Sequence, residues 1–320
     1  MILMQIRLWE QGNLKPSPLD DLRANFDRPA WIDITDPTVG DMQSVADALS
    51  IPRHVLIGKL RSNYPHVDTY PEYVKIFAWH LTSSLEGRES SYHKNPVIVL
   101  ANRNCVVTIS HSRTNIPETI SNELGEKGLT GLSLRARVIY LVMRYLLERY
   151  EHFAEQFERA AEKLEEAIPP WPRDFYAESF NIRKDASRFL RLLRHFRTLV
   201  ESLPKGRFSL SFTEKEMQLL DTVYDRAVGA EETTEMSLEI VKDLIEMHLD
   251  TVSHDMNRAM RLMAAITCIV AIPSVIGALL GMNLIDVPWP WQLWQVTSIG
   301  ASAAILLAAY FYRKGWLRGT

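Results

Sequence analysis

The sequence has few of the residues that build most catalytic and metal centres. Its 320 residues include only two cysteines, Cys105 and Cys268, too few for a disulfide framework or a cysteine-rich metal cluster. It contains no G-x-x-x-x-G-K-[ST] loop, so ATP-driven pumping is not expected. Its nine histidines form no His-Glu-x-x-His pattern. We therefore predict that the protein is not an enzyme and uses no cofactor.

Charge is absent from two long stretches near the C-terminus. No Asp, Glu, Lys or Arg occurs in residues 262–282 or 293–312. Each stretch has about 20 residues, which at about 1.5 Å per residue matches the roughly 30 Å hydrocarbon core of a bilayer. The sequence therefore predicts two transmembrane helices in contact with lipid, at 258–282 and 293–312, joined by an external loop at 283–292.

Positive charge is also missing from the connection between these helices, because residues 281–292 contain no Lys or Arg. The outer flanks are basic, with Arg258, Arg261, Arg313, Lys314 and Arg318. The positive-inside rule then predicts cytoplasmic N- and C-termini, including the tail 313–320, for a protein of the bacterial inner membrane. The N-terminus has no long apolar segment after a basic start, so no cleaved signal is expected.

Residues before the first span carry charge throughout and predict a soluble α+β part with a mixed sheet and helices. Aromatic and β-branched runs at 31–35, 73–81, 96–100 and 105–110 predict strands within a domain at 1–130. Helical periodicity then predicts two long antiparallel helices within 131–206.

A very long stalk helix is predicted next. Thr213 and Glu216 fit a capping box, and no proline follows until Pro273. Such a helix of roughly 65 to 70 residues would be on the order of 100 Å long. Its cytoplasmic part, 207–257, would continue directly into the first span. A helix of this length needs partners along it.

Small and hydroxyl-bearing residues share one face of this helix. Steps of alternating three and four residues, the period of coiled helices, connect eight positions, here called the candidate stripe: Asn257, Met260, Ala264, Thr267, Ala271, Ser274, Ala278 and Gly281. The same steps taken backward from Asn257 pass through Asp250, Glu246 and Asp243. One face thus carries carboxylates before the membrane and a narrow polar line through it.

Two interpretations of the candidate stripe stay open. Small residues allow transmembrane helices to pack closely. Alternatively, the stripe lines a water-filled path on the axis of identical helices, where rings of Asp243, Glu246 and Asp250 raise the local cation concentration. The continuity of the stripe across the membrane boundary favours a pore. Two spans per chain cannot enclose one, so a symmetric oligomer is required.

The first span ends in Gly281-Met282-Asn283, and the second is followed by a basic tail beginning YRKGWL. With the WIDITDPT segment at 31–38 and the long stalk, this resembles the CorA family of divalent-cation transporters, a two-span GMN superfamily that includes zinc-transporting relatives. The resemblance covers the whole architecture. The chain departs from the family at Leu280, where an aromatic residue is usual, and in its outer loop, where Asp286 is the only charge.

The resemblance implies a funnel-shaped homopentamer in which five Gly281-Met282-Asn283 loops bind hydrated Mg²⁺ at the outer mouth, through the Asn283 amide. Asn257 and Met260 match an inner polar ring and a hydrophobic constriction, and Thr267 and Ser274 match pore-lining positions. Bound cations would close the path from the cytoplasmic side. Acids available for that regulatory role include Asp221, Asp225 and Glu246.

We predict a channel or transporter for divalent cations, with Mg²⁺ first and Co²⁺ or Ni²⁺ as further ions. A Zn²⁺ transporter, with or without coupling to protons, is one alternative, although the first span lacks an Asp, Glu or His to relay protons. A membrane-anchored scaffold or sensor is another. The basic run at 183–197 spreads around a helix, so no nucleic-acid partner is expected.

Overall fold

The computed structural model describes residues 5–10, 13–18, 29–56, 64–83, 92–110, 114–125, 129, 131–167, 171–205, 212–281 and 292–317. The chain forms two compact units, Met1–Leu244 and Ile245–Thr320. The helices are α1 (Val39–Ala48), α2 (Arg53–Leu56), α3 (Ile116–Glu123), α4 (Leu134–Glu165), α5 (Phe175–Lys205), α6 (Glu214–Leu280) and α7 (Leu293–Arg313).

The first unit contains a seven-stranded mixed sheet. Its strands are β1 (Gln5–Glu10), β2 (Asn13–Pro16), β3 (Trp31–Thr35), β4 (His66–Thr69), β5 (Val74–Ser83), β6 (Tyr92–Ala101) and β7 (Val106–Ser110), in the spatial order β2-β1-β3-β7-β6-β5-β4. The β3–β7 pair is parallel, and the other pairs are antiparallel. The predicted mixed sheet is therefore confirmed.

A buried carboxylate connects three strands and a helix of this unit. Asp33 of β3 accepts hydrogen bonds from Thr108 Oγ1 at 2.7 Å and from Thr35 Oγ1 at 2.8 Å. Arg7 of β1 approaches Asp33 at 3.1 Å and also donates to Glu118 of α3 at 2.7 Å. Burial raises the pKa of Asp33, and these donors oppose that shift. A buried carboxylate is tolerated because it is paired and hydrogen-bonded.

The long helices begin at a shared cap. Thr213 N–H donates to Glu216 Oε2 at 2.8 Å, and Glu216 N–H donates to the Thr213 hydroxyl at 3.4 Å, which confirms the capping box predicted from the sequence. Glu216 also accepts the backbone N–H and the hydroxyl of Ser133, at 3.0 and 2.7 Å. Ser133 is itself the N-cap of α4. The carboxylate of Glu216 therefore fixes the starts of α4 and α6 together.

The stalk helix α6 is 67 residues long, as its uninterrupted pattern predicts, and passes through Pro273. Its first part packs into the first unit through Val223, Ala227 and Thr234, which are buried. Its last part and the 21-residue α7 form most of the second unit.

Candidate functional site

Two of the described helices are long and apolar enough to cross a membrane, within Glu214–Leu279 and Trp294–Arg313. Only 6% and 11% of their most apolar windows are buried inside the chain. The core helix of a soluble protein would be mostly buried, so these apolar stretches do not form such a core within the described residues.

One face of the span in α6 is occupied by α7. Ala265 is buried, and Ile269, Ile272 and Ile276 follow it at helical spacing as half-buried residues. Gly300 of α7 lies against this face, since a Cβ atom placed there would be 3.3 Å from Ile276 Cδ1. Glycine at this position lets the two helices approach closely.

The candidate stripe lies on the other side of α6. Ser274 comes two residues after Ile272, a rotation of about 200° around the helix axis. All eight positions of the stripe are exposed in the single chain: Asn257, Met260, Ala264, Thr267, Ala271, Ser274, Ala278 and Gly281. The helix hairpin therefore leaves this face open to whatever surrounds it.

The two hydroxyls of the stripe make the same contact within α6. Thr267 Oγ1 donates to the Met263 carbonyl and Ser274 Oγ donates to the Val270 carbonyl, each at 2.8 Å. A hydroxyl whose proton is used in this way keeps oxygen lone pairs as acceptors. The exposed groups therefore present partial negative charge, which suits hydrated cations.

The predicted acids are also exposed. Asp243 in the first unit, and Glu246 and Asp250 in the second, are exposed positions of α6. So are Asp221 and Asp225. Within the described part of one chain, no group of three or more His, Cys, Asp or Glu side chains could hold a metal ion. A single chain does not gather the candidate regulatory acids into a site.

The outer-mouth motif is described only at its first residue. Gly281 follows the last residue of α6, and its N–H donates to the Gly277 carbonyl at 3.1 Å. Met282 and Asn283 lie outside the described residues, so their predicted role stays a prediction.

The face of α7 that packs on α6 was not predicted from the sequence. Its signal was nevertheless present, because Gly300, Ala304 and Ala308 repeat a small residue every four positions. Gly300 is buried and the two alanines are half-buried. A small-xxx-small pattern is typical of closely packed transmembrane helices.

A family model described as CorA-like Mg2+ transporter protein matches residues 27–314. The chain belongs to the CorA family. This confirms the resemblance carried by the stalk, the hairpin and the Gly-Met-Asn triplet. As a member of a transporter family with two candidate spans, the chain is a membrane protein.

Individual relatives agree with this membership. The cobalt/magnesium transport protein CorA of Thermotoga maritima is 23% identical over 296 residues, which cover 90% of this chain and 84% of the relative. The complete structure of the CorA magnesium transporter from Methanocaldococcus jannaschii matches with a TM-score of 0.76 at 17% identity, over 99% of each chain. The full-length CmaX protein matches with a TM-score of 0.73 at 18% identity, over 97% of this chain and 96% of the other. The predicted fold class of a CorA chain is confirmed.

Proposed function

We propose that the chain is a channel or facilitative transporter that moves divalent cations across the bacterial inner membrane, Mg²⁺ first and Co²⁺ next. The observation that carries the proposal is the open candidate stripe, which continues an acidic helix face and lies opposite the face packed on α7. The name of the matching family and the cobalt/magnesium function named for the Thermotoga relative support the choice of ions.

The conducting unit would be a ring of identical chains, five by resemblance to the family, with the candidate stripe of each facing the axis. One hairpin covers only one side of α6, so other copies must complete the wall. Both termini would be cytoplasmic, because the basic flanks of the spans favour that side. The proposed partition is a domain at 1–130, a helix pair within 131–206 and a stalk at 207–257.

Ions would pass the ring in stages. Asp243, Glu246 and Asp250 concentrate cations at the cytoplasmic end, and the Thr267 and Ser274 oxygens accept hydrogen bonds from the water around the ion. Mg²⁺ dehydrates reluctantly, so neutral oxygens can guide it without trapping it. A membrane potential supplies roughly 4.6 kcal/mol per 100 mV for a doubly charged ion, which suffices to drive inward flow.

The proposal also includes ion-binding residues at the two ends of the path and a regulatory cation site. The Gly281-Met282-Asn283 loops would form the outer mouth, with Asn283 and Asn257 binding the hydrated ion at opposite ends of the path. Asp221 and Asp225 would bind a regulatory cation together with acids of a neighbouring chain.

Flux into liposomes tests the proposal. Purified protein would be reconstituted, and uptake of Mg²⁺, Co²⁺, Ni²⁺ and Zn²⁺ compared with and without a pH gradient. We expect uptake of Mg²⁺ and Co²⁺ that follows the membrane potential and ignores the proton gradient. Uptake of Zn²⁺ alone, driven by protons, would replace the proposal with the zinc alternative. Absence of any uptake would favour a membrane-anchored scaffold or sensor.

A further inference from the structure

The first unit carries an acidic groove between α4 and α6. It is a cavity of about 540 Å³ whose lining includes Glu151, Glu155, Glu158, Arg226, Gly229 and Thr233. These residues define the acidic groove. At Gly229 a Cβ atom would meet nothing within 4 Å, so this part of the lining borders open space. The groove is therefore open to a side chain from outside.

The charges of the groove do not balance. Glu151 is paired with Arg226, with distances of 2.9 and 2.5 Å to two nitrogens of the guanidinium. Glu155 approaches Arg159 of its own helix at 3.3 Å, and both side chains are more than half exposed. Glu158 is exposed and has no ion-pair partner among the described residues. The groove therefore retains net negative charge and attracts cationic groups.

A basic face lies on α5 of the same unit. Lys184, Arg188, Arg191 and His195 follow one another at helical spacing, and all four are exposed. These residues define the basic face. Arg188 pairs with Asp185 of the same helix at 3.7 Å, so Lys184 and Arg191 contribute most of the positive charge. Arg191 and His195 also line a shallow depression of about 130 Å³ with Arg194 and Thr198. Arg194 is directed to α6, where it donates to Glu231 at 2.9 Å and pairs with Glu235.

The two surfaces lie on different sides of α6. The α4 contact is made at Arg226 and the α5 contact at Glu231, five residues later, which is a rotation of about 140° around α6. Asp225 is exposed on the third side, about 100° from Arg226 and about 120° from Glu231. If the Asp225 side of α6 faces the axis of a ring, α4 lies on one flank of α6 and α5 lies on the other.

We propose that the acidic groove of one chain receives the basic face of a second copy of the chain. This inference rests on the ring of identical chains proposed above. Contact between two different surfaces of the same molecule is heterologous, and such contacts form a ring when the rotation between successive copies closes, as the ring proposed above requires. Opposite charge on the two flanks gives the ring its direction and excludes contact between like flanks. A divalent cation is a poorer occupant, because the described residues of one chain contain no metal-binding group of three or more ligands.

Charge reversal tests the docking. The first variant, Glu155→Lys with Glu158→Lys, reverses the charge of the acidic groove. The second, Lys184→Glu with Arg191→Glu, reverses the charge of the basic face, and a third variant combines all four substitutions. The matched control is Glu178→Lys, an exposed acid on α5 outside both surfaces. Oligomer mass would be measured in detergent by light scattering over a dilution series, at low and high salt, after circular dichroism has confirmed the helical content of each variant.

We expect each double reversal to raise the concentration for half-dissociation by at least about tenfold, because like charges then face each other. For the chain with all four substitutions, the concentration for half-dissociation should return to within about threefold of the native value, because the charges of both flanks are then reversed and again attract each other. The native oligomer should also loosen as salt increases. The proposed docking is wrong if no charge reversal changes the oligomer mass. It is also wrong if the chain with all four substitutions dissociates as readily as the two double variants. A native chain that is monomeric at all concentrations would instead overturn the ring itself.

Discussion

The two compact units of this CorA-family chain differ in how much of their apolar surface is buried within the chain. In the first unit, Trp31, Phe157 and Phe189 are each 0% exposed. In the second unit, Met263 and Leu306 are 70% and 71% exposed. Burying apolar surface is favourable by about 25 cal/mol per Å², so the first unit gains this free energy within one chain. Apart from the contact between α6 and α7, the second unit leaves its apolar surface exposed in the single chain.

The units also differ in how they satisfy polar groups. In the first, Asp33 is bonded by side chains from three strands. In the second, Thr267 and Ser274 bond to the carbonyls of their own helix. These hydroxyl protons are satisfied within the helix itself and need no partner from another element. Polar side chains therefore specify the tertiary fold of the first unit, whereas those of the second remain available for solvent or ions.

The largest expected effect concerns the candidate stripe of the second unit. Thr267→Leu and Ser274→Leu each place a branched apolar side chain where we propose hydrated ions pass. We expect Mg²⁺ flux to fall to background, measured as uptake into liposomes. Cys268→Leu is the matched control, because it adds similar volume one residue away, about 100° around α6. Normal flux in Thr267→Leu, or equal loss in Cys268→Leu, would mean that the stripe does not line the path.

Periodic features of the chain could be predicted from the sequence. The start of α6 after Thr213, its length and the two candidate spans follow from a capping box and from long uncharged runs, which are local signals. The strands β5, β6 and β7 follow from β-branched and aromatic runs. The candidate stripe follows from one helical period, although its role does not.

Features that depend on distant parts of the chain could not be predicted. The parallel β3–β7 pair joins segments more than 70 residues apart, and no local pattern encodes that choice. The contact between Gly300 and Ile276 depends on how two helices cross. The strand β4 is only four residues long, too short for a clear alternation.

A core substitution would sharpen the comparison between the units. Phe189→Ala removes a fully buried ring that contacts Tyr150, Phe153 and Phe157. We expect a loss of about 3–5 kcal/mol in the free energy of unfolding of the first unit, measured by urea titration. Leu306→Ala, at a side chain 71% exposed, should change that value by no more than about 0.5 kcal/mol. Similar losses in both variants would contradict the assignment of separate cores.

A pH titration addresses a buried histidine of the first unit. His80 is 3% exposed, stacks on Tyr145 and lies near Arg149, and burial followed by that positive charge lowers its pKa from 6.5 to about 4. The folded state thus favours the neutral ring. Stability should be unaffected above pH 6.5 and should fall as pH decreases toward 4, by up to about 3 kcal/mol.

The control for this titration is His80→Phe, which keeps a ring against Tyr145 and removes the titrating group. Urea titrations between pH 7 and 4 would compare the two proteins, and the native chain should lose more stability over that interval. Parallel pH dependence in both would mean that His80 does not contribute.

The smallest expected effect distinguishes two faces within the second unit. Gly300→Ala places a methyl group 3.3 Å from Ile276 Cδ1, whereas Gly277→Ala places one in open space. Ile276 can shift by a few tenths of an ångström, so we expect Gly300→Ala to cost about 1 kcal/mol, partly offset by the better helix propensity of alanine. Gly277→Ala should be neutral or slightly stabilising. Thermal unfolding in detergent would measure both, and a greater loss for Gly277→Ala would show that α7, or another copy of the chain, packs on a different face of α6.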